Sequence, residues 1–474
     1  MKHIAYKLIK SPGPVRRCFE PFSGDLHAFL LESAQGHPYR GRFSFFGASP
    51  FAVLRRQNGR TTFQRGNIEE ETKVSVAQLF RSCLKEYILA EDERLAYPFL
   101  CGAAGFMGYD FGFSFERIRR REKPRTGVPD ILFGFYDCVA VFDRLKNEML
   151  VFSSGFPEHG PSRRKRARRR LEEMLAALET AGHGLLAARR APFLPRPSAW
   201  RSDFTKKGYL AAVRKAKAHI AAGDIYQINL SQRFCGRTSL DDWQLYERLA
   251  RAFPVSFGAF FRGDDFSIIS ASPEQFLSFD GRTVTTRPMK GTRPRIGSPG
   301  KDGPNRRELW ESAKEKAELL MVVDLERNDL GRVCDYGTVR LRQKRTIEAY
   351  RTVFQATSEI EGRLHHRRDR WDLLRACFPG GSVTGCPKIR AMELIEELEP
   401  EARGIYTGSL GYMSFHGTLQ FNILIRTLLK QKDRVSFHVG GGIVADSDPE
   451  KEYEETLIKA RALFEALTGS QELR

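Results

Sequence analysis

Residues 131–142, ILFGFYDCVAVF, and residues 99–109, FLCGAAGFMGY, carry the pattern that decides the fold class. Both are nearly continuous apolar runs bounded by Gly and Pro, which is typical of strands buried on both faces. Three shorter strand patterns lie at 226–234, 257–261 and 267–271. Helical patterns lie between these blocks, at 160–180, 205–222, 305–322, 387–398 and 449–467. Runs of strands separated by helices predict an α+β fold.

The composition limits the class of protein. The chain has 474 residues, of which 41% are hydrophobic, and this excludes a mostly disordered protein. No stretch approaches the ~18 apolar residues of a membrane span, and the first residues have no apolar segment typical of a signal peptide. The eight cysteines are scattered without a CxxC pair, which predicts neither a zinc ribbon nor a disulfide scaffold. We therefore expect a cytoplasmic protein with no membrane partner.

The residues from 181 to 200 divide the chain by composition. Gly and Pro recur there, at Gly182, Gly184, Pro192, Pro195 and Pro197, as in a linker. The expected organisation is an N-terminal region at 1–155, a helix and linker at 156–202, and a second region at 203–468. Asp203 or Thr205 is placed to cap the first helix of that second region, which Gly223 would end.

A strong positive charge raises the question of nucleic-acid binding. Lys and Arg number 77 against 58 Asp and Glu, a formal charge of +19. Basic runs at 163–170 and 117–125 could bind phosphate backbones. However, the first run leads into the amphipathic pattern of 171–178, so its arginines are expected on a solvated helix face. No RNA-recognition, helix-turn-helix or zinc-finger pattern accompanies them, and a basic nucleic-acid-binding protein stays the alternative of another class.

Lys290 stands in a basic turn, TRPMKGTRPR at 286–295, with three arginines within five residues. A partly desolvated lysine beside other cations has a lowered pKa and can act as an amine nucleophile. A solvated surface turn has the same composition, and spacing alone favours that interpretation.

Two glutamate pairs recur at helical spacing: Glu315 with Glu318, and Glu452 with Glu455. An i, i+3 pair places both carboxylates on one helix face. Two such helices facing each other would form an oxygen site for a hard cation such as Mg²⁺. Ordinary solvated helix surface is the alternative.

Two glycine-rich segments are candidate anion sites. Gly440, Gly441 and Gly442 follow the strand pattern at 435–439, where their backbone N–H groups could bind an anion or simply form a tight turn. Residues 378–388, FPGGSVTGCPK, lead into a helix whose N-terminus could bind a carboxylate. The GxxxxGK[ST] spacing of a nucleotide-binding loop is absent.

Taken together, these segments closely resemble the chorismate-utilising enzymes. Six segments appear in the family's order: GDIYQINLSQRF (223–234), ISASPEQF (269–276), RPMKGTRPR (287–295), MVVDLERNDLGRV (321–333), FPGGSVTGCPKIRAME (378–393) and GGGIVADSDPEKEYEET (440–456). The resemblance implies an α+β fold in which two antiparallel sheets pack as a two-lobed sandwich with helices outside. It also implies an active site in the cleft between the lobes.

Three positions indicate a branch within this family. Lys290 stands where the branch that aminates chorismate has lysine and where anthranilate, salicylate and isochorismate synthases usually have alanine. Gln227 stands where the isochorismate and salicylate branches have a lysine that activates water. Gln355 replaces a histidine found in many members, which fits a synthase that stops before pyruvate is lost. Anthranilate synthase remains the alternative within the family.

The resemblance also implies a chemistry and its residues. Lys290 attacks C2 of chorismate and displaces the C4 hydroxyl, which Glu274 protonates, and ammonia then attacks C4 and expels the lysine. The product is 4-amino-4-deoxychorismate, a precursor of 4-aminobenzoate and folate. Mg²⁺, held by Glu315, Glu318, Glu452 and Glu455, binds the ring carboxylate. The substrate-binding positions are Gln227, Thr292, Thr384, Tyr406, Arg426, Gly440, Gly441, Gly442 and Lys459.

The sequence contains no glutaminase pattern, because no cysteine lies in a glycine-flanked elbow followed by the matching His and Glu. Family members take ammonia from a separate glutamine amidotransferase subunit. We therefore expect that subunit as a partner, with chorismate as the substrate.

Overall fold

The computed structural model describes residues 3–34, 41–183, 200–350 and 353–468. Most of the predicted linker at 181–200 lies outside these residues. No helix among them is both long and apolar enough to cross a membrane.

Twenty-four strands form in the described residues. In chain order they are β1 Ala5–Lys10, β2 Phe29–Glu32, β3 Phe43–Gly47, β4 Ala52–Gln57, β5 Arg60–Arg65, β6 Ile68–Thr72, β7 Gly102–Met107, β8 Ile131–Tyr136, β9 Cys138–Asp143, β10 Glu148–Ser153, β11 Arg201–Ser202, β12 Gln227–Arg237, β13 Phe257–Arg262, β14 Ser267–Ser272, β15 Gln275–Phe279, β16 Thr283–Arg287, β17 Met289–Pro294, β18 Arg340–Ala349, β19 Val353–Arg363, β20 Gly385–Cys386, β21 Ser409–Ser414, β22 Leu419–Asn422, β23 Thr427–Gln431 and β24 Arg434–Ile443.

Ten α-helices accompany them in the described residues. They are α1 Val15–Phe19, α2 Val76–Glu86, α3 Gly160–His183, α4 Lys206–Ala221, α5 Asp242–Ala252, α6 Pro299–Glu311, α7 Ala313–Gly331, α8 Arg370–Cys377, α9 Lys388–Leu398 and α10 Pro449–Thr468.

The strands form two sheets of twelve, whose paired strands run antiparallel. The first has the order β1-β10-β9-β3-β2-β13-β14-β23-β24-β12-β11, with β20 also beside β12. The second has the order β17-β19-β16-β15-β22-β21-β7-β8-β4-β5-β6, with β18 also beside β19. Strands from before residue 155 and after residue 203 enter both sheets. The α+β prediction and its two antiparallel sheets are confirmed.

The main core lies between the two sheets. Phe45 of the first sheet contacts the Tyr412 ring of the second at 5.3 Å between centroids, and Phe99 stacks on Tyr412 at 4.4 Å. Both sheets contribute to one continuous cluster of buried apolar side chains. Helices α5 and α10 pack on the outer face of the first sheet, as expected of a sandwich with outer helices.

The apolar run at 131–142 forms two strands rather than one. β8 belongs to the second sheet and β9 to the first, so the chain crosses between the sheets at Asp137. The Asp137 side chain is fully buried, and its carboxylate accepts hydrogen bonds from Arg166 at 2.9 Å and Arg170 at 3.4 Å. A buried carboxylate needs such partners, since unpaired charge is costly to desolvate.

The basic run at 163–170 was predicted to be a solvated helix face, and this is wrong for part of it. Besides the two arginines that hold Asp137, Arg163 donates to the buried Glu93 at 2.8 Å. In the second run, Arg120 lies 3.4 Å from Asp110 and Lys123 lies 3.4 Å from Glu396. Local carboxylates thus neutralise much of both runs, which disfavours the nucleic-acid alternative.

The helix predicted at 305–322 is interrupted. α6 ends at Glu311, and Ser312 starts α7 by accepting a hydrogen bond from the Glu315 backbone N–H at 3.3 Å. This cap satisfies one of the free N–H groups at the helix start. Helix α7 packs on β17 and β19, and therefore places Glu315 and Glu318 beside the strand that carries Lys290. The predicted cap at Thr205 is also present, on α4.

A buried ion pair joins the segments around the cleft. Arg403 donates to both carboxylate oxygens of Glu399, at 2.7 and 2.9 Å, with both side chains nearly inaccessible. The same guanidinium donates to the carbonyls of Val383 and Asn229, at 3.0 and 2.7 Å. The remaining N–H donates to the Thr407 hydroxyl at 3.2 Å. Because all five donors of the guanidinium have acceptors, the glycine-rich loop and β12 are fixed relative to each other.

Candidate active site

Lys290 lies on β17, beside β19, where the strand register shifts between Lys290 and Thr292. Gly291, inside this irregularity, has a φ of +76°, a conformation that favours glycine. The Lys290 Nζ donates to the Ser382 carbonyl at 3.2 Å. This amine also lies 3.4 Å from where a Cβ on Gly442 would stand. The lysine therefore points into the cleft between β24 and the 378–386 loop, rather than into solvent.

The cationic cluster expected around Lys290 does not form. Each arginine of the motif is committed to an acceptor elsewhere: Arg287 contacts Glu348 and Glu359, Arg293 contacts Glu308 and Glu315, and Arg295 donates to the Tyr350 carbonyl. Three carboxylates, those of Glu274, Glu318 and Glu455, interact electrostatically with Lys290. The three arginines are close to Lys290 along the chain, but the fold directs their side chains to acceptors elsewhere.

Glu274 follows β14 and is buried, with only 4% of its surface exposed. Desolvation raises its pKa to about 7, and the nearby Ser382 hydroxyl and Lys290 ammonium limit that rise. Its own backbone carbonyl accepts from the Ile423 N–H at 3.1 Å, which fixes the segment. Near neutral pH this carboxyl is therefore partly protonated, as a general acid must be.

The two glutamate pairs come together from α7 and α10. Burial raises the pKa of Glu318 and of Glu452, and in both cases a second glutamate adds to the rise. Glu455 acts electrostatically on both helices' carboxylates. No three of these carboxylates in the described part of the chain place oxygens within 4.8 Å of one another. The structure thus gathers the four side chains without closing them into a tight cage.

Two lysines, Lys459 and Lys314, lie next to these carboxylates. Lys459 lies 2.7 Å from Glu455, whose pKa is lowered chiefly by that ammonium, and it also donates to the Gly440 carbonyl at 2.8 Å. Lys314 lies 3.8 Å from Glu318 and acts on Glu452 and Glu455 as well. The sequence reasoning missed Lys314, although its position four residues before Glu318 on one helix was a usable signal.

The triple glycine continues strand β24 and does not form a turn. Gly440, Gly441 and Gly442 pair with Ser231, Leu230 and Asn229 of β12. A Cβ on Gly441 would stand 3.3 Å from the Glu452 carboxylate, and one on Gly442 would stand 2.8 Å from the Gln227 Nε2. Any larger residue would therefore occupy the space that the carboxylates, Gln227 and Lys290 share.

Two glutamines near Lys290 have buried oxygens without partners in the described residues. They are the Oε1 atoms of Gln227 and Gln355. The Gln355 Nε2 contacts the Thr292 hydroxyl at 3.4 Å. Buried acceptors normally find a donor, so both oxygens are suited to accept hydrogen bonds from a substrate or from ammonia.

The remaining predicted substrate-binding residues occupy different surroundings. The Tyr406 ring stacks on His438 at 4.9 Å, and desolvation raises the pKa of its hydroxyl to about 12. Arg426 acts electrostatically on Glu274, and its φ of +50° is unusual for a residue other than glycine. The Thr384 hydroxyl donates to the Gly380 carbonyl at 3.0 Å. Thr384 therefore supports its own loop, and its hydroxyl is not directed at the cleft.

Comparison with known proteins gives the family. The family model described as chorismate binding enzyme matches residues 27–465. Aminodeoxychorismate synthase component 1 of Klebsiella aerogenes is 37% identical over 96% of this chain and 97% of its own. Anthranilate synthase component 1 of Thermus thermophilus is 38% identical, over 93% and 92%. The crystal structure of anthranilate synthase component I from Streptococcus pneumoniae superposes with a TM-score of 0.79 at 30% identity, over 90% and 93%.

The fold and the cleft thus define a chorismate-binding enzyme, and this chain belongs to that family. Overall identity does not separate the two kinds of relative, since 37% and 38% are equivalent. The distinction proposed below is therefore based on single positions in the cleft, above all Lys290.

Proposed function

We propose that this chain is the synthase component of an aminodeoxychorismate synthase, which aminates chorismate at C4 for 4-aminobenzoate and folate biosynthesis. The observation that carries the proposal is the position of the Lys290 amine. It lies in the cleft, 3.2 Å from the Ser382 carbonyl, with Glu274 and the glutamate pairs around it. Anthranilate synthase remains the second candidate because of the Thermus thermophilus relative, and Lys290 counts against it.

The proposed reaction has two displacements. The free amine of Lys290 forms a bond to C2, the ring double bonds shift, and the C4 hydroxyl leaves with a proton from Glu274. Ammonia then forms a bond to C4, the double bonds shift back, and the C2–lysine bond breaks. The unpaired oxygen of Gln227 could accept a hydrogen bond from ammonia, whereas an amide cannot activate water as a base.

Chorismate carries two carboxylates, and the cleft offers several groups that can bind them. Arg426 can form paired hydrogen bonds with a carboxylate, and Thr292, Tyr406 and Lys459 add single donors. The backbone of Gly440–Gly442 permits close approach. We include these residues and Gln227 in the proposed substrate site. Thr384 contributes only indirectly, because it supports the loop beside the cleft.

The four glutamates fit a hard divalent cation, and we propose Mg²⁺. The donor set is all oxygen, as this cation prefers, and burial makes the negative charges of Glu318 and Glu452 costly without a counter-ion. Glu315, Glu318, Glu452 and Glu455 would hold the ion, with water completing its ligands. When bound, Mg²⁺ would neutralise the ring carboxylate of the substrate.

Glu318→Gln is expected to raise the Mg²⁺ concentration needed for half-maximal activity by about tenfold to 100-fold. Removal of one carboxylate charge weakens an oxygen site directly, while the amide keeps the side-chain volume. Titration of the initial rate with MgCl₂ measures the shift. Glu311→Gln, at the exposed end of α6, is the matched control and should leave the titration unchanged. An unaltered Mg²⁺ dependence in Glu318→Gln would remove this residue from the proposed metal site.

Ammonia is proposed to come from a glutamine amidotransferase subunit, as the component names of the relatives suggest. A cytoplasmic location is part of the proposal, and all eight cysteines are unpaired thiols, as a reducing compartment requires. The chain alone should use ammonium salts and not glutamine. Glutamine-dependent turnover by the pure chain would contradict the need for a partner.

The direct test is product identification by mass after the chain is incubated with chorismate, Mg²⁺ and ammonium. We expect an aminated product that retains the enolpyruvyl group. Anthranilate, which has lost pyruvate, would instead support the second candidate. Salt-sensitive retardation of DNA without any turnover of chorismate would support the nucleic-acid alternative.

A further inference from the structure

A buried carboxyl that the proposed mechanism does not use lies behind the active site. Glu326 lies on α7, eight residues after Glu318, and only 7% of its surface is exposed. Its Cγ lies 3.1 Å from where a Cβ on Gly381 would stand. Gly381 precedes Ser382, whose carbonyl accepts from Lys290. Glu326 therefore touches the loop that positions the proposed nucleophile.

The hydrogen bonds of Glu326 indicate its protonation state. The Thr286 Oγ1 lies 2.7 Å from the Phe276 carbonyl and 2.8 Å from the Glu326 Oε2. A hydroxyl has one proton to donate, and a carbonyl can only accept. If the Thr286 proton goes to Phe276, the second contact needs a proton from Glu326. Both short contacts are therefore satisfied only when Glu326 is a neutral carboxylic acid.

The charges around Glu326 favour the same state. The groups that face it are Glu274, Asp329 of its own helix, Lys388 of α9 and the buried Cys377 thiol of α8. The Lys388 ammonium is committed to Asp329 and to the Cys377 carbonyl, the latter at 2.9 Å. With that cation already paired, an ionised Glu326 would stand beside two other acids. Burial is the main cause that raises its pKa, to about 8.

We propose that Glu326 is a positioning residue that, as a neutral acid, donates a hydrogen bond to Thr286. This bond holds two segments against helix α7: the strand that leads to Lys290 and the loop that contains Ser382. Thr286 precedes Lys290 by four residues, and Gly381 precedes Ser382 directly. An ionised Glu326 has no proton to donate, so the Thr286 hydroxyl can then keep only one of its two short contacts, and negative charge is added beside Glu274. The inference rests on the proposed function, because it assigns to this carboxyl an effect on Lys290 chemistry.

Glu326→Gln tests the proposal, since the amide keeps the shape and a donor but cannot ionise. Two measurements are made: the infrared carbonyl stretch of protonated carboxylic acids at neutral pH, and kcat against pH at constant free ammonia. The variant should lose one protonated-acid band. Its alkaline limb should show one ionisation fewer than that of the wild type. The ratio of variant to wild-type kcat should therefore rise about tenfold between neutral pH and about pH 9.

Unfolding gives a second readout that does not depend on turnover. A carboxyl whose pKa is raised on folding binds its proton more tightly in the folded state, between about 4.3 when unfolded and about 8 when folded. Wild-type stability should fall with rising pH through this window, and that of Glu326→Gln should fall less. A melting-temperature difference that grows from acid to alkaline pH is the expected result.

Two further variants complete the design. Asp324→Asn removes an exposed carboxylate from the same helix and should change neither the infrared band nor the pH profile. Thr286→Val removes the acceptor and should lower kcat at neutral pH. An unchanged infrared spectrum or an unchanged alkaline limb in Glu326→Gln would overturn the proposal. If the wild type does not turn over chorismate, the proposed function fails, while the infrared and unfolding data still decide the protonation of Glu326.

Discussion

Replacement of Lys290 by alanine is expected to lower kcat for the amination of chorismate by at least about 10²-fold. The side chain is proposed to form the covalent bond that splits one difficult displacement into two. Alanine leaves only direct attack by ammonia, without the nucleophile held in the cleft. The rate should be measured with saturating ammonium, so that a slow amidotransferase step cannot mask the loss.

Lys290→Arg separates nucleophilicity from charge. Arginine keeps the positive charge facing Glu274, Glu318 and Glu455, but its guanidinium stays protonated and does not act as a nucleophile. Both variants should therefore be slow, and neither should give the covalent adduct that we expect to detect by intact-protein mass spectrometry after rapid quenching of the wild type. Full activity in Lys290→Ala would exclude the covalent route.

Much of the fold could be predicted from the sequence because several of its strands, such as β7, β8 and β9, are buried along their whole length. Continuous apolar runs identified β7, β8 and β13 without any knowledge of their partners. The crossing at Asp137 could not be predicted in this way. Its partners, Arg166 and Arg170, lie some thirty residues further along the chain, and a local pattern contains no information on such distant pairs. The arginines then appear as a surface run although they are structural.

The candidate site shows the same division between local and distant information. The i, i+3 spacing correctly indicated which glutamates share a helix face, since that geometry is local. It could not show that Arg293 turns to Glu308 and Glu315 and away from Lys290, because strand pairing sets that direction. The triple glycine was ambiguous for a related reason. Only the pairing with β12 shows that these glycines continue a strand and leave space beside it, and do not turn the chain.

The charged residues of the cleft show that the overall positive charge of the protein does not extend uniformly into the active site. Lys290, Lys314 and Lys459 lie among the four glutamates and Glu274, so the cleft is mixed and not uniformly basic. We expect the basic surface to attract dianionic chorismate over distance, while the cleft itself balances charge locally. Steering of this kind weakens with salt, whereas pairs within the cleft are screened less.

Glu274→Gln is expected to lower kcat by about 10²- to 10⁴-fold, the usual contribution of a general acid. The buried carboxyl has its pKa raised to about 7 by desolvation and is proposed to act in its protonated form. Wild-type kcat at constant free ammonia should therefore fall as the pH rises through about 7. The amide can still hydrogen-bond the leaving oxygen but cannot transfer a proton, so the residual rate should lack this ionisation.

Glu274→Asp is the matched variant, because it keeps the acid and shortens its reach by one methylene. It should retain more activity than Glu274→Gln and keep the alkaline fall, since the same kind of group still titrates. The KM for chorismate should change little in Glu274→Gln if the residue acts on the leaving group and not on substrate carboxylates. A glutamine variant with wild-type kcat, or with an unaltered alkaline limb, would assign the proton transfer to another group in the cleft.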